Sequence, residues 1–289
     1  MAREGRRGRS DGPDAETGEA AVTTTERDEP DPTLTSPTAE PDGEPEPAGF
    51  RLGDLTPLLL VRAAHPRQAV LTAAGLAVAA ALAGRPSREV LLVFATVLVG
   101  QVVLGWANDL VDRRRDARHH LAGKPVADGR LDPGTVWFCL AIGVFLVVPL
   151  SIGNGRYAGT AYLLSLAIGL AGQWPRLRRG FFSWVPWAAA FALYPAFLSY
   201  GGWGGRTEGA PPEILMTVLA ALLGVAVHLL TALWGLVPDN EDRWTYLPLR
   251  LGLRIGASRL LWVAGTATVV VLVALAFAGT HVGLAQEPL

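Results

Sequence analysis

Three carboxylates, Asp109, Asp112 and Asp116, close a long apolar segment in the run Asn108-Asp109-Leu110-Val111-Asp112-Arg113-Arg114-Arg115-Asp116. Between Arg88 and Asp109 the only charged residue is Glu89. On a helix the three acids fall within an arc of roughly 60°. An aspartate within hydrocarbon costs about 2.5–3.5 kcal/mol on insertion scales, and three on one face also repel each other. The arrangement suits a bound cation, and hard oxygen ligands select Mg²⁺ or Ca²⁺ over zinc.

A second acidic cluster, Pro238-Asp239-Asn240-Glu241-Asp242-Arg243, also ends a long apolar stretch. Asp239 and Asp242 are spaced to share a helical face. Mg²⁺ is usually held by one or two carboxylates, waters and substrate phosphates, so two such clusters suit a metal-bridged diphosphate. Lys124, Arg178 and Arg243 are bases for the remaining phosphate oxygens. Arg113, Arg114 and Arg115 read as topology signals first and phosphate contacts second. His119 and His120 are adjacent, so they do not face the same way on a helix, and read as solvated loop residues. His65, before Pro66, reads as a helix-start residue. His228 lies in an apolar band, either touching an acceptor or hydrogen-bonded in packing.

The elements that must position these residues are apolar bands. Half of the residues are hydrophobic and 18% are charged, below the usual quarter for a soluble domain. Acids and bases nearly balance, so charge gives no indication of nucleic acid. Thirteen of the 26 acids lie in the first fifty residues, which are rich in Pro, Thr and Gly and nearly devoid of large apolar side chains. Residues 1–50 therefore read as a disordered acidic, Pro-rich tail, and 51–289 as a transmembrane domain. Seven bands follow, near 68–84, 90–107, 134–152, 157–173, 183–200, 213–236 and 260–279. The expectation is an all-α integral membrane bundle of about seven helices, with Trp at band ends as interfacial anchors. Alternate loops carry sixteen basic residues against four, which places the N-terminus and both acidic clusters in the cytoplasm and the C-terminus outside. The lone Cys139 sits inside a band and reads as an inert thiol.

Asn108-Asp-x-x-Asp-x-x-x-Asp116, followed by Gly123-Lys124-Pro125-Val126-Ala127-Asp128-Gly129-Arg130-Leu131, resembles the first signature of the UbiA superfamily of intramembrane prenyltransferases. Asp239 to Asp242 with Leu247-Pro248-Leu249-Arg250-Leu251-Gly252 resembles its second Asp motif and Leu-Pro tail. The resemblance spans residues 55–280. It implies a UbiA-like helical bundle, usually of nine helices, and Mg²⁺-dependent transfer of a prenyl group from a polyprenyl diphosphate to an acceptor, often aromatic or a lipid-quinone precursor. It implies that Asp109, Asp112, Asp116, Asp239 and Asp242 hold Mg²⁺, and that Asn108, Lys124, Arg178 and Arg243 meet the diphosphate. Lys124 stands where the family usually has Arg, and Asp239-x-x-Asp242 is one residue shorter than the usual second motif. A catalytically impaired lipid-binding relative is the first alternative. A transporter is the second, although its acids belong near mid-membrane in broken helices. Asp116-Ala117-Arg118 only faintly matches the CDP-alcohol phosphotransferase motif.

Overall fold

The computed structural model describes residues 52–201 and 209–284, so the tail expected over 1–50 lies outside the described residues. The described chain is helical, with no strand. Its helices are α1 (Thr56–Ala63), α2 (Pro66–Leu82), α3 (Ser87–Arg118), α4 (Pro133–Gly153), α5 (Arg156–Gly172), α6 (Pro175–Arg179), α7 (Trp184–Ala192), α8 (Tyr194–Ser199), α9 (Ile214–Ala232), α10 (Leu236–Glu241), α11 (Leu247–Ile255) and α12 (Ala257–His281). Proline near the first turn sets the starts of α1, α2, α4, α6 and α11, where its missing N–H costs nothing. Asp132 caps α4 by accepting from the Thr135 backbone N–H at 2.8 Å.

Five rods are long and apolar enough to cross a bilayer: Ser87–Arg118, Pro133–Gly153, Phe181–Ser199, Ile214–Glu241 and Ala257–His281. The other two expected bands are α2 and α5, of 17 residues each. Each is about 25 Å long, short of a ~30 Å hydrocarbon layer. The first nevertheless runs between the two ends of the bundle, and the second lies along the middle of α3. His65, at the start of α2, meets Asp109 near the C-terminal end of α3; Arg85, just past its end, donates to the Leu198 carbonyl at the opposite side. Asn154, just before α5, donates to Thr96 Oγ1 at 2.9 Å, and Gln173, just after it, to the Leu104 carbonyl at 3.0 Å.

Small residues let the helices close up, as membrane interfaces require. A Cβ at Gly105 of α3 would lie 2.5 Å from the Ala64 carbonyl oxygen, and one at Gly224 of α9 would lie 2.4 Å from that of Trp187. The main core gathers Ala73, Val93, Val97, Val147, Tyr162 and Phe197. Buried hydroxyls turn inward onto backbone, as Ser151 does to Val147 O at 2.6 Å. Large apolar side chains such as Leu71, Phe145 and Trp262 point outward, inverting a soluble protein's pattern. Asp109 stands about 33 Å along α3, at the depth where a hydrocarbon layer gives way to water.

Candidate active site

The C-terminal turns of α3 sort their side chains by angle. At about 100° per residue, Asp109 and Asp116 share one flank, Arg115 and His119 the other, and Asp112 lies between.

The first flank is closed by the loop after α3 and the α1–α2 junction. Lys124 Nζ donates to Asp109 Oδ1 at 2.7 Å and lies 3.4 Å from both Asp116 Oδ2 and Asn108 Oδ1. Gly123, at φ 85°, makes the turn that delivers Lys124. Val126 and Leu131 anchor the loop on Leu59 and Leu110. His65 Nε2 is 3.0 Å from Asp109 Oδ1, projected from a left-handed backbone (φ 52°) between α1 and α2. The close approach of Gly105 to Ala64 brings that junction against α3. Asp109 Oδ2 and Asp116 Oδ2 are buried without a hydrogen-bond partner.

In the middle, Asp112 Oδ2 accepts from Arg178 Nη1 of α6 at 2.5 Å and from Asn108 Nδ2 at 3.1 Å. On the second flank, Arg115 reaches across to the end of α10. Its Nη2 donates to Asp239 Oδ1 and its Nε to Asp242 Oδ2, each at 2.5 Å. Tyr246 donates its hydroxyl to Asp239 Oδ2. His119 Nε2 lies 3.1 Å from Asp242 Oδ1 and its Nδ1 lies 3.2 Å from Glu241 Oε2. Burial alone would raise the Asp242 carboxyl, but the bonds from Arg115 and His119 outweigh it and hold it below the usual range. Burial, then the negative charge of Asp239, pushes the Tyr246 phenol up, so it stays a donor.

Aromatic rings continue from this cluster into the bundle. Trp244 lies under the Arg115 guanidinium at 4.5 Å, with Arg179 and Arg178 at 5.4 and 5.6 Å. Trp244 meets Tyr246 at 5.7 Å, Tyr246 meets His228 at 6.2 Å and His228 meets Trp187 at 5.4 Å. His228 is buried and its Nε2 is 2.9 Å from Ser183 Oγ.

The two acidic clusters thus meet at one end of the bundle. Asn108, Asp109, Asp112, Asp116, Lys124, Arg178, Asp239 and Asp242 are brought together. Arg243 is not: it is exposed, in a left-handed turn at φ 57°, and makes none of the ion pairs among the described residues. The expectation for His119 is corrected. His120 is exposed, but His119 turns inward onto the second cluster. Its spacing of three and seven from Asp116 and Asp112 carried that signal. Arg115, three residues after Asp112, carried it too, and Tyr246 follows Asp239 by seven residues, whereas His65 reaches Asp109 across 44 residues, through the tertiary fold.

Among the described residues no group of three or more His, Cys, Asp or Glu side chains forms a ready-made metal nest. The donor set on the first flank still fits a hard cation. It offers carboxylate oxygens, of which Asp109 Oδ2 is buried without a partner and Asp116 Oδ2 has only Lys124 at 3.4 Å, and a buried group left unsatisfied costs about 1–3 kcal/mol.

The fold has known counterparts. A UbiA homolog from Archaeoglobus fulgidus bound to GPP and Mg²⁺ superposes with a TM-score of 0.58 at 16% identity, covering 77% of this chain and 78% of that one. The same homolog bound to DMAPP and Mg²⁺ gives 0.58 at 18% identity, covering 78% and 80%. A Cd²⁺-bound form gives 0.56 at 15%, covering 78% and 90%. No curated protein matches the chain. The UbiA prenyltransferase family matches residues 69–286, three-quarters of the sequence. With five membrane-length helices and an acidic cluster at one end, this multi-pass membrane protein belongs to the UbiA prenyltransferase family.

Proposed function

We propose that this chain transfers a prenyl group from a polyprenyl diphosphate to an aromatic or lipid-quinone-precursor acceptor, with Mg²⁺, at the cytoplasmic face. The observation that carries the reading is the first flank: buried carboxylate oxygens, Asp109 Oδ2 without a partner and Asp116 Oδ2 held only by the Lys124 ammonium at 3.4 Å, beside Arg178, at the membrane-edge end of an apolar bundle. Asp109, Asp112 and Asp116 would hold Mg²⁺, which when bound draws charge from the departing diphosphate. Lys124 and Arg178, now pairing Asp109 and Asp112, turn to phosphate oxygens and hold the head group in place. The allylic C–O bond breaks, and its electron pair leaves with the diphosphate. The prenyl carbon bonds the acceptor, whose displaced proton passes to water or to diphosphate. Burial of the tail in the bundle, at about 0.8 kcal/mol per CH₂, holds the donor, and water exclusion protects the cationic prenyl carbon.

The bound donor of the Archaeoglobus fulgidus homologs, GPP or DMAPP with Mg²⁺, is of the same class. The sixteen-to-four arginine and lysine asymmetry supports the cytoplasmic side and an external C-terminus. Acids at helix ends, rather than at mid-bundle, argue against a transporter. Purified protein in detergent, given geranyl diphosphate and candidate acceptors, should release diphosphate with Mg²⁺, and Asp112→Ala should abolish the release. Turnover that survives EDTA or the substitution sinks the mechanism.

A further inference from the structure

We infer that Arg115 is a built-in cation that stands in for a metal ion at the second acidic cluster, so that metal binds only on the Asp109–Asp116 side. This rests on the Mg²⁺ reading above. The two clusters differ in what their oxygens lack. On the second flank all four carboxylate oxygens have side-chain partners. Asp239 Oδ1 is taken by Arg115 Nη2 and Oδ2 by the Tyr246 hydroxyl. Asp242 Oδ2 is taken by Arg115 Nε and Oδ1 by His119 Nε2. On the first flank Asp109 Oδ2 has no hydrogen-bond partner, and Asp116 Oδ2 has only the Lys124 ammonium, at 3.4 Å.

The guanidinium is suited to the substitution. It cannot be deprotonated, and its fork presents separate N–H groups to two carboxylates at once. One fixed charge therefore joins α3 to the end of α10, the join a bridging metal would otherwise make. The side chains of Arg115, Asp239 and Asp242 retain 9, 7 and 15% of their exposure, which leaves little room for an ion and its waters. Trp244 closes the other face of the guanidinium at 4.5 Å. The backbone closes on Asp239 as well: a Cβ at Gly235 would lie 2.9 Å from Asp239 Oδ2. A divalent ion placed there would also sit against the positive charge of Arg115. Arg115 is thus a positioning residue, which holds the second motif closed while the first binds the ion.

The test counts Mn²⁺ bound per chain, by the loss of the free-ion electron paramagnetic resonance signal, on metal-stripped protein in detergent. Arg115→Leu should bind one more Mn²⁺ per chain than the unsubstituted protein. Its thermal midpoint should fall in EDTA and recover with Mn²⁺ by more degrees than that of the parent. An unchanged count in a folded Arg115→Leu protein overturns the inference. Should that variant fail to fold, the double substitution Asp239→Asn with Asp242→Asn decides the matter. It should bind as many Mn²⁺ as the parent, and the loss of one ion overturns the inference while leaving the metal reading of the first flank intact. An unsubstituted chain that binds no Mn²⁺ at all overturns both.

Discussion

Lys124 Nζ lies 2.7 Å from Asp109 Oδ1, so the loop after α3 folds back to give its own helix a counter-ion. Because the same ammonium lies within 3.4 Å of Asp116 and Asn108, it is a shared charge that a phosphate can recruit. Lys124→Met should raise the KM for prenyl diphosphate about tenfold, equivalent to about 1.4 kcal/mol. Lys124→Arg should recover much of that loss. Steady-state kinetics with donor varied at saturating acceptor would decide, and an unchanged KM in the methionine variant would remove Lys124 from the site.

Helix contact at Gly105 sets the position of His65. A side chain there must displace the Ala64 carbonyl, 2.5 Å from the new Cβ. Gly105→Ala should cost about 1–3 kcal/mol by overpacking. Gly75→Ala is the control, since a Cβ there meets nothing within 4 Å; in a helix interior it should be neutral or stabilising by up to about 1 kcal/mol. Thermal unfolding of both in the same detergent compares them directly.

Asp242 titrates below its ordinary range in the folded state. A depressed carboxyl contributes stability that is present above its unfolded pKa, about 3.9 for Asp, and is lost as pH falls through the folded value. The protein should therefore lose stability on acidification below about pH 4. Asp242→Asn should be less stable at neutral pH and show a shallower acid limb. Parallel acid limbs in parent and variant would show that Asp242 is not the group responsible.

Asp132 separates a structural acid from the chemical ones. It accepts from Thr135 as a helix cap and takes part in none of the ion pairs among the described residues. Asp132→Ala should cost about 1 kcal/mol of stability and leave diphosphate release at the parental rate when assayed well below the thermal midpoint. A large drop in rate without unfolding would assign it a chemical role.

Orientation is open to direct measurement. With Cys139 replaced by Ala, a cysteine at exposed position 122, beside the acidic end, should react with a membrane-impermeant maleimide only in inside-out vesicles. One at exposed position 88, at the other end, should react in intact cells. The reverse pattern would move the site outside.

The seven rods were legible because hydrophobic length is a local property, and the band limits expected from sequence fall within a few residues of the helices for α2, α4 and α5. The acidic ends were legible for the same reason. What sequence does not contain is the pairing. Arg115 and Asp239 are separated by 124 residues, and nothing in either neighbourhood names the other. The α3 arginines were indistinguishable by composition. Only their angles on the helix separate Arg115, buried against two acids, from Arg114, which is exposed. His119 was hidden by the pairing argument, which correctly denied that His119 and His120 act together but left no residue to face inward.

The two counter-charges also differ in when they become available as the chain is made. Lys124 follows Asp109 by 15 residues, so the first pair can close within a single helix and its loop. Arg115 must wait for Asp239, four further rods along. Until then a guanidinium stands at the membrane edge with no fixed acid from that later segment. The Arg115–Asp239 contact is therefore a late seal, closed only when the rod from Ile214 to Glu241 has been laid beside α3, and a chain arrested before that point would keep its first acidic flank while lacking the second.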